Sequence, residues 1–152
     1  MKEDLISLRT QLNQIIIETL QSNNHLKNEI EKKENEKYDL LKSISLKIID
    51  VIDSFENSEE WVIANDLNKV DEAKRTINKF KIVHRKLLGL LKEYGITKIE
   101  FPDNKLIVGL CEVVETEADS NRKNDEIISV IRNGYIRGKE LIRPAQIIVV
   151  KN

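Results

Sequence analysis

The spacing of hydrophobic residues changes once along this chain, close to Gly95. Before that glycine, apolar positions recur at alternating intervals of three and four residues, which is the period of an amphipathic helix. After it, they alternate with polar positions or form short runs bounded by turn residues, which is typical of β-strands. The pattern predicts an α+β protein with helix over residues 1–95 and a small β domain over residues 96–152.

The first helix carries a weak heptad seam within residues 1–39. Thr19 and Ser22 place polar groups in that seam, and residues 29–39 are nearly all charged. Because an isolated helix of this kind needs a partner, we expect a marginally stable, parallel two-stranded coiled coil. A solvated or partly disordered arm is the alternative. The seam positions are Leu5, Leu8, Leu12, Ile15, Thr19, Ser22 and Leu26.

Residues 40–95 carry wider apolar stripes on two helical segments, which the pattern separates at Asn57-Ser58. Asp66 is predicted to cap the second helix and Gly95 to end it. One antiparallel neighbour cannot cover stripes this wide, so we expect two such hairpins, one from each protomer, to form a dimeric four-helix bundle. The expected dimer-interface residues are Leu41, Ile44, Ile48, Val51, Phe55, Ile77, Phe80, His84, Leu87 and Leu91.

The β domain begins with two short predicted strands, over residues 96–101 and 106–114. A turn at residues 102–104 would join them, since Pro, Asp and Asn favour turns. Residues 115–125 are acidic and polar, and we expect them to form an exposed loop.

Residues 130–150 give the clearest β signal of the chain. Asn133-Gly134 predicts a type I′ hairpin turn, in which both residues adopt positive φ. A second turn is expected at Gly138, and Pro144, which lacks an amide donor, is expected at a strand start or a sheet edge. Basic side chains would give this ribbon one face suited to a partner, or would only keep a solvated edge from aggregating. They are Arg132, Arg137, Lys139 and Arg143.

Composition narrows the class of function. Charged residues make up 34% of the chain and aromatic residues only 5%, which favours long solvated helices over a thick core. A net charge of −1 provides no overall attraction to nucleic acid or to an anionic membrane. Cys111 has no second cysteine to pair with, and neither a signal peptide nor a membrane span is recognisable, so we expect a cytoplasmic location.

The reactive side chains of the chain form no recognisable active site. The glycines form no phosphate-binding loop, and no nucleophile motif is present. His25 and His84 lie on separate helices, so they cannot complete an ordinary zinc site, and His84 is expected to be a structural core histidine. We therefore predict a binding protein and not an enzyme, without a cofactor or a metal.

A family resemblance is carried by residues 130–150, VIRNGYIRGKELIRPAQIIVV. This segment resembles the C-terminal signature of the GrpE family, the nucleotide-exchange factors of DnaK-type heat-shock chaperones. Looser similarity occurs at residues 87–100, LLGLLKEYGITKIE, and at residues 48–56, IIDVIDSFE. The resemblance covers residues 40–152, and the signature positions are Gly134, Tyr135, Leu141, Arg143, Pro144 and Ala145.

The resemblance implies a homodimeric co-chaperone of the stress response. It would bind the nucleotide-binding domain of a DnaK-type chaperone and promote ADP release by stabilising the open cleft of that domain. The β domain, residues 96–152, would be the contacting wing. The residues expected at the chaperone contact are Arg132, Tyr135, Arg137, Lys139, Glu140, Arg143 and Lys79.

Two of these positions depart from the family pattern. Glu140 stands where the family usually carries Arg, and Lys79 stands where it often carries Gly. They indicate a divergent member and leave open a second function, that of a dimeric coiled-coil adaptor or scaffold which has lost exchange activity. For Tyr135 and Arg143, bracing of the turn is the alternative to partner contact.

Overall fold

The structure is a computed structural model that describes the backbone of residues 2–152 and the side chains of residues 4–67 and 69–152. Its contacts divide the chain into two units, residues 1–42 and residues 43–152. Within these described residues the fold is α+β: a long helix, a second helix and a small β domain, as the pattern predicts.

Helix α1 spans Lys2–Ala64. In the first unit most of its described apolar side chains are exposed, including those of Leu5, Leu8 and Leu12 in the seam. The predicted break at Asn57-Ser58 is wrong, because the helix continues for six residues beyond Ser58. The Ser58 hydroxyl donates to the carbonyl of Ser54 at 2.7 Å, so the polar side chain is satisfied inside the helix and does not end it.

Helix α2 spans Asp71–Glu93, and a short 3₁₀ turn, Leu67–Lys69, precedes it. The predicted cap at Asp66 is wrong: Val70 is the N-cap, and Asp66 lies in the left-handed region at φ 58° without a capping hydrogen bond. The predicted end at Gly95 is confirmed. Gly95 has φ 75°, and its amide donates to the carbonyl of Lys92 at 2.9 Å.

Two three-stranded sheets follow the helices. The first is antiparallel, in the order β1-β4-β5, and consists of β1, Ile96–Lys98, β4, Tyr135–Arg137, and β5, Glu140–Arg143. The second has the order β2-β6-β3 and consists of β2, Cys111–Glu117, β3, Ile127–Arg132, and β6, Ala145–Val150. Strand β2 runs parallel to β6, whereas β3 is antiparallel to it. The strand predicted over residues 106–114 is therefore shifted towards the C-terminus, because β2 begins only at Cys111 and ends at Glu117, inside the predicted loop.

The chain crosses between the two sheets at Asn133-Gly134 and again at Pro144. The type I′ hairpin predicted at Asn133-Gly134 is wrong, since β3 pairs with β6 while β4 pairs with β1 and β5, and neither residue has positive φ. The turn at Gly138 is confirmed: it joins β4 to β5 with φ 58°.

The buried apolar residues of the second unit form two clusters. In the first, Ile49 and Ile52 lie three residues apart on one face of α1, where they pack against the first sheet and α2. The remaining buried members of this cluster are Leu91, Ile96, Tyr135 and Ile142. The second cluster lies on the sheet β2-β6-β3, where alternation along β6 directs one set of side chains to one face. It consists of Ile127, Ala145, Ile147 and Val149.

Candidate functional site

The hairpin of β4 and β5, residues 135–143, is the candidate binding element and is called the ribbon below. Its strands pair Arg137 with Glu140 and Ile136 with Leu141. Gly138, Lys139 and Glu140 are exposed at the tip. The tip therefore presents charges of both signs to solvent.

Arg137 links the ribbon to the end of α2. Its Nε donates to the carbonyl of Tyr94, the C-cap of α2, at 3.2 Å. A cation is favoured there because the carbonyl dipoles make a helix C-terminus electronegative. The contact holds the guanidinium half-buried beside the tip.

Arg143 holds the opposite end of the ribbon against α1. Its Nη1 and Nη2 donate to the two carboxylate oxygens of Asp53 at 2.6 and 2.8 Å, and Nη2 also donates to the carbonyl of Asn133 at 2.7 Å. The guanidinium lies 5.6 Å from the centre of the Tyr135 ring. Because the side chains of Arg143 and Asp53 are only 10% and 14% exposed, this bidentate pair lies largely out of water.

Arg132 and Asn133 extend this contact along α1. Arg132 donates through Nε to Asp53 and through Nη2 to Asp50, both at 2.8 Å. The side-chain Nδ2 of Asn133 donates to the carboxylate of Glu56 at 2.8 Å. The acceptors follow one another at intervals of three residues, which places them on one helical face. The resulting network is called the anchor and consists of Asp50, Asp53, Glu56, Arg132, Asn133 and Arg143.

The anchor shifts the pKa values of Asp53 and Arg132, and the pKa of the neighbouring Tyr135 is shifted as well. Partial burial would raise the pKa of Asp53, but the hydrogen bonds and positive charges of Arg143 and Arg132 outweigh it and hold that pKa below its ordinary value of 3.8. The hydrogen bond to Asp53 raises the pKa of Arg132. Burial, together with the nearby charges of Glu56 and Asp53, raises the pKa of Tyr135 to about 12. At neutral pH, Asp53 and Arg132 are therefore charged and Tyr135 is neutral.

The structure separates the predicted contact residues into exposed and enclosed groups. Lys139 and Glu140 are exposed and Arg137 is half-buried, whereas Tyr135 is only 1% exposed. The enclosure of Tyr135 and Arg143 favours bracing, one of the two roles that the sequence leaves open for them. Arg132 occupies an intermediate place, because its side chain is 41% exposed although it pairs with two aspartates. Lys79 is exposed on α2, outside the β domain.

Sequence reasoning missed the three acidic members of the anchor. Asp50, Asp53 and Glu56 resemble the solvated charges of any amphipathic helix. Their position beside the apolar residues Ile49 and Ile52 could have indicated this role. Acidic residues at the border of a buried helix face lie close to the element that packs on that face, and can pair with its basic side chains.

The predicted dimer-interface residues differ in how far a single protomer already buries them. Ile44, Val51 and Phe80 are 47–48% exposed in the single protomer. Leu91 is 2% exposed in the core of its own protomer, and Ile48 and Leu87 pack against that core. Leu41, which lies in the first unit, is half-buried.

Phe80 and the remaining interface candidates lie around an apolar cavity between α1 and α2. This cavity has a volume of about 300 Å³ and is lined by Phe55, Ile77, Phe80 and His84 among others. The Phe55 and Phe80 rings lie 5.8 Å apart. His84 Nε2 is 3.6 Å from a carboxylate oxygen of Glu56, beyond hydrogen-bond distance. This wall of the hairpin is therefore apolar and incompletely filled within one protomer.

Among the residues that the structure describes, no group of three or more His, Cys, Asp or Glu side chains is arranged to hold a metal ion. None of the described helices combines the length and the apolar character needed to cross a membrane.

Comparison with known proteins gives consistent matches. The GrpE family model matches residues 1–151. Protein GrpE of Wolbachia pipientis subsp. Culex pipiens (strain wPip) is 28% identical over 152 residues, which covers 95% of this chain and 79% of that protein. Protein GrpE of Chlorobaculum tepidum is 26% identical over 74% of this chain and 57% of its own length. Protein GrpE of Methanosphaera stadtmanae is 26% identical over 68% of this chain, and the match again spans only 57% of the relative.

Proposed function

Because this chain belongs to the GrpE family, we propose that it is a nucleotide-exchange co-chaperone. It binds the nucleotide-binding domain of a DnaK-type chaperone and promotes release of ADP. The observation that supports this function most directly is the ribbon, whose charged tip is exposed while both of its ends are held, one by α2 and the other by α1.

The proposed activity requires differential binding and no reactive group. If the protein binds the open chaperone cleft more tightly than the closed one, it shifts the population towards the open state, which holds ADP poorly. By linkage, ADP and the co-chaperone then weaken each other's binding by the same factor, and a coupling of about 3 kcal/mol corresponds to roughly 150-fold.

The proposed contact surface has a primary and a secondary part. Lys139, Glu140 and Arg137 make the primary contact, because they lie at or beside the exposed tip. Arg132 flanks it, and Lys79 provides a further contact on α2. Tyr135 and Arg143 support the ribbon from inside.

The proposed active species is a homodimer. A second copy would cover Ile44, Val51 and Phe80, whose exposure in one protomer is unfavourable in water. It would also close the apolar cavity beside Phe55 and Ile77. Residues 1–39 would pair as a coiled coil through the exposed seam.

Release of fluorescently labelled ADP from a DnaK-type chaperone of the same organism tests the proposal. Catalytic amounts of the wild-type protein should accelerate release. Lys139→Glu should weaken chaperone binding by about tenfold, which is about 1.4 kcal/mol, since it reverses a charge at the tip. Lys123→Glu is the matched control, because Lys123 is also exposed but lies in the loop before β3.

Three outcomes separate the candidate functions. Accelerated release that Lys139→Glu impairs supports exchange. Chaperone binding without any change in ADP release supports the adaptor, which the acidic Glu140 at the tip favours. Absence of both binding and acceleration with every such chaperone rejects the exchange function.

A further inference from the structure

The contacts of the anchor fix the orientation of the β domain relative to α1. Its contacts begin at Asp50 and end at Glu56, which corresponds to about 9 Å along the helix axis at 1.5 Å per residue. Contacts spread over this distance resist rotation of the β domain about any one of them. They reach the β domain on both sides of the crossing at Asn133, so they hold the two sheets together with the helix.

The central pair is strongly directional. A bidentate Arg–carboxylate contact fixes the plane and the direction of the guanidinium. Arg143 is further held by the Asn133 carbonyl and by the Tyr135 ring, so it cannot turn without losing several contacts. Ion pairs that lie out of water add little net stability compared with apolar packing, because removing the charges from water costs as much as their attraction returns. Orientation is therefore the better explanation of this arrangement.

We propose that Asp53 is a positioning residue, which sets the angle of the ribbon on α1 and thereby lets the protein distinguish the nucleotide-free chaperone from the ADP-bound one. This inference rests on the proposed exchange function. A wedge favours an open cleft only if its contact surfaces keep a fixed geometry. A β domain that rotated freely could bind the open and the closed chaperone equally well. A ligand with equal affinity for two states does not shift the equilibrium between them.

The test compares two dissociation constants for each variant of the full chain. Binding is measured to the nucleotide-free chaperone and to the ADP-saturated chaperone, and the ratio of the two constants expresses the discrimination. In Asp53→Asn we expect this ratio to be at least about fivefold lower than in the wild type, since a factor of five is the smallest typical allosteric coupling. Partial unfolding of the variant would lower both affinities by one factor and leave the ratio unchanged, so the ratio separates positioning from loss of structure.

A matched control and a milder variant complete the design. Glu59→Gln removes an ion pair from the same helix, but that pair, 2.7 Å long, joins Lys81 on α2 and not the β domain. Its ratio should equal that of the wild type. Arg132→Gln removes one arm of the anchor at a more exposed position and should lower the ratio less than Asp53→Asn.

The outcomes distinguish this inference from the function on which it rests. A wild-type ratio of one would reject the exchange function itself. A large wild-type ratio that Asp53→Asn leaves unchanged would overturn the positioning role alone. If Asp53→Asn does not fold, Arg132→Gln decides the question, and an unaltered ratio in that variant overturns the inference.

Discussion

Gly134 is required by close packing and not by an unusual backbone conformation. A Cβ atom added at this position would lie 2.4 Å from the amide nitrogen of Ala145 and 2.7 Å from Cδ1 of Ile99. Ordinary contacts between carbon atoms begin at about 3.5 Å, so the added methyl group is about 1 Å too close to the backbone. The substitution Gly134→Ala should therefore destabilise the β domain.

The backbone segments at Gly134 and Ala145 cannot easily move apart to make room for the added methyl group, because each is held by a hydrogen bond. The Gly134 carbonyl accepts a hydrogen bond from the Ile99 amide at 2.9 Å, and the Ala145 amide donates to the carbonyl of Leu110 at 3.0 Å. Overpacking of this kind typically costs about 1–3 kcal/mol, occasionally more. Replacing glycine also reduces the entropy of the unfolded chain, which returns about 0.4–1 kcal/mol. We expect a net loss of about 1–2 kcal/mol, or a melting temperature lower by roughly 2–8 °C for a chain of this size.

Urea denaturation, followed by circular dichroism and by fluorescence of Trp61, measures this loss. All variants should be compared at one protein concentration, because the proposed dimerisation would make apparent stability depend on concentration. Two glycines with open surroundings serve as controls. Gly89→Ala, inside α2, should stabilise by about 0.5–1 kcal/mol. Gly138→Ala should cost about 1–2 kcal/mol, because φ there is 58°. A Gly134→Ala protein as stable as the wild type would refute the packing argument.

Three further predictions concern titration, an unpaired hydroxyl and the amino-terminal coil. Since the folded state lowers the pKa of Asp53, its stabilising contribution is present above the unfolded value of about 3.9 and is lost as pH falls through the folded pKa. Asp53→Asn should therefore cost about 3 kcal/mol at pH 7 and less at pH 3 in urea titrations, and an equal cost at both pH values would contradict this. Tyr135→Phe should be neutral or stabilising by up to about 1 kcal/mol, because the hydroxyl is buried without a hydrogen-bond partner among the described residues; a loss above that size in the same titration would show that the hydroxyl is satisfied. Thr19→Leu combined with Ser22→Leu should raise the first of two thermal transitions in calorimetry by filling polar seam positions, whereas a single transition in both proteins would contradict separate melting of the coil.

Local chemistry along the chain determined much of this fold. The intervals of three and four residues predicted α1 and α2, because helical periodicity is a property of neighbouring residues. Gly95 and Gly138 were recognised as a helix end and a turn for the same reason, since each requires positive φ locally. The turn predicted at Gly138 also gives the position of the ribbon, because it joins β4 to β5.

Contacts between distant residues were decided only by the tertiary structure. Asn133-Gly134 carries the signal of a hairpin turn, yet its glycine is needed because the backbone at Ala145 passes too close for a side chain. Asp53 looks like an ordinary solvated acid until the fold brings Arg143 to it from 90 residues away. A local sequence pattern does not predict this ion pair, because the electrostatic energy of a charged group depends on its surroundings. The surroundings of Asp53 form only when the sheets pack on the helix.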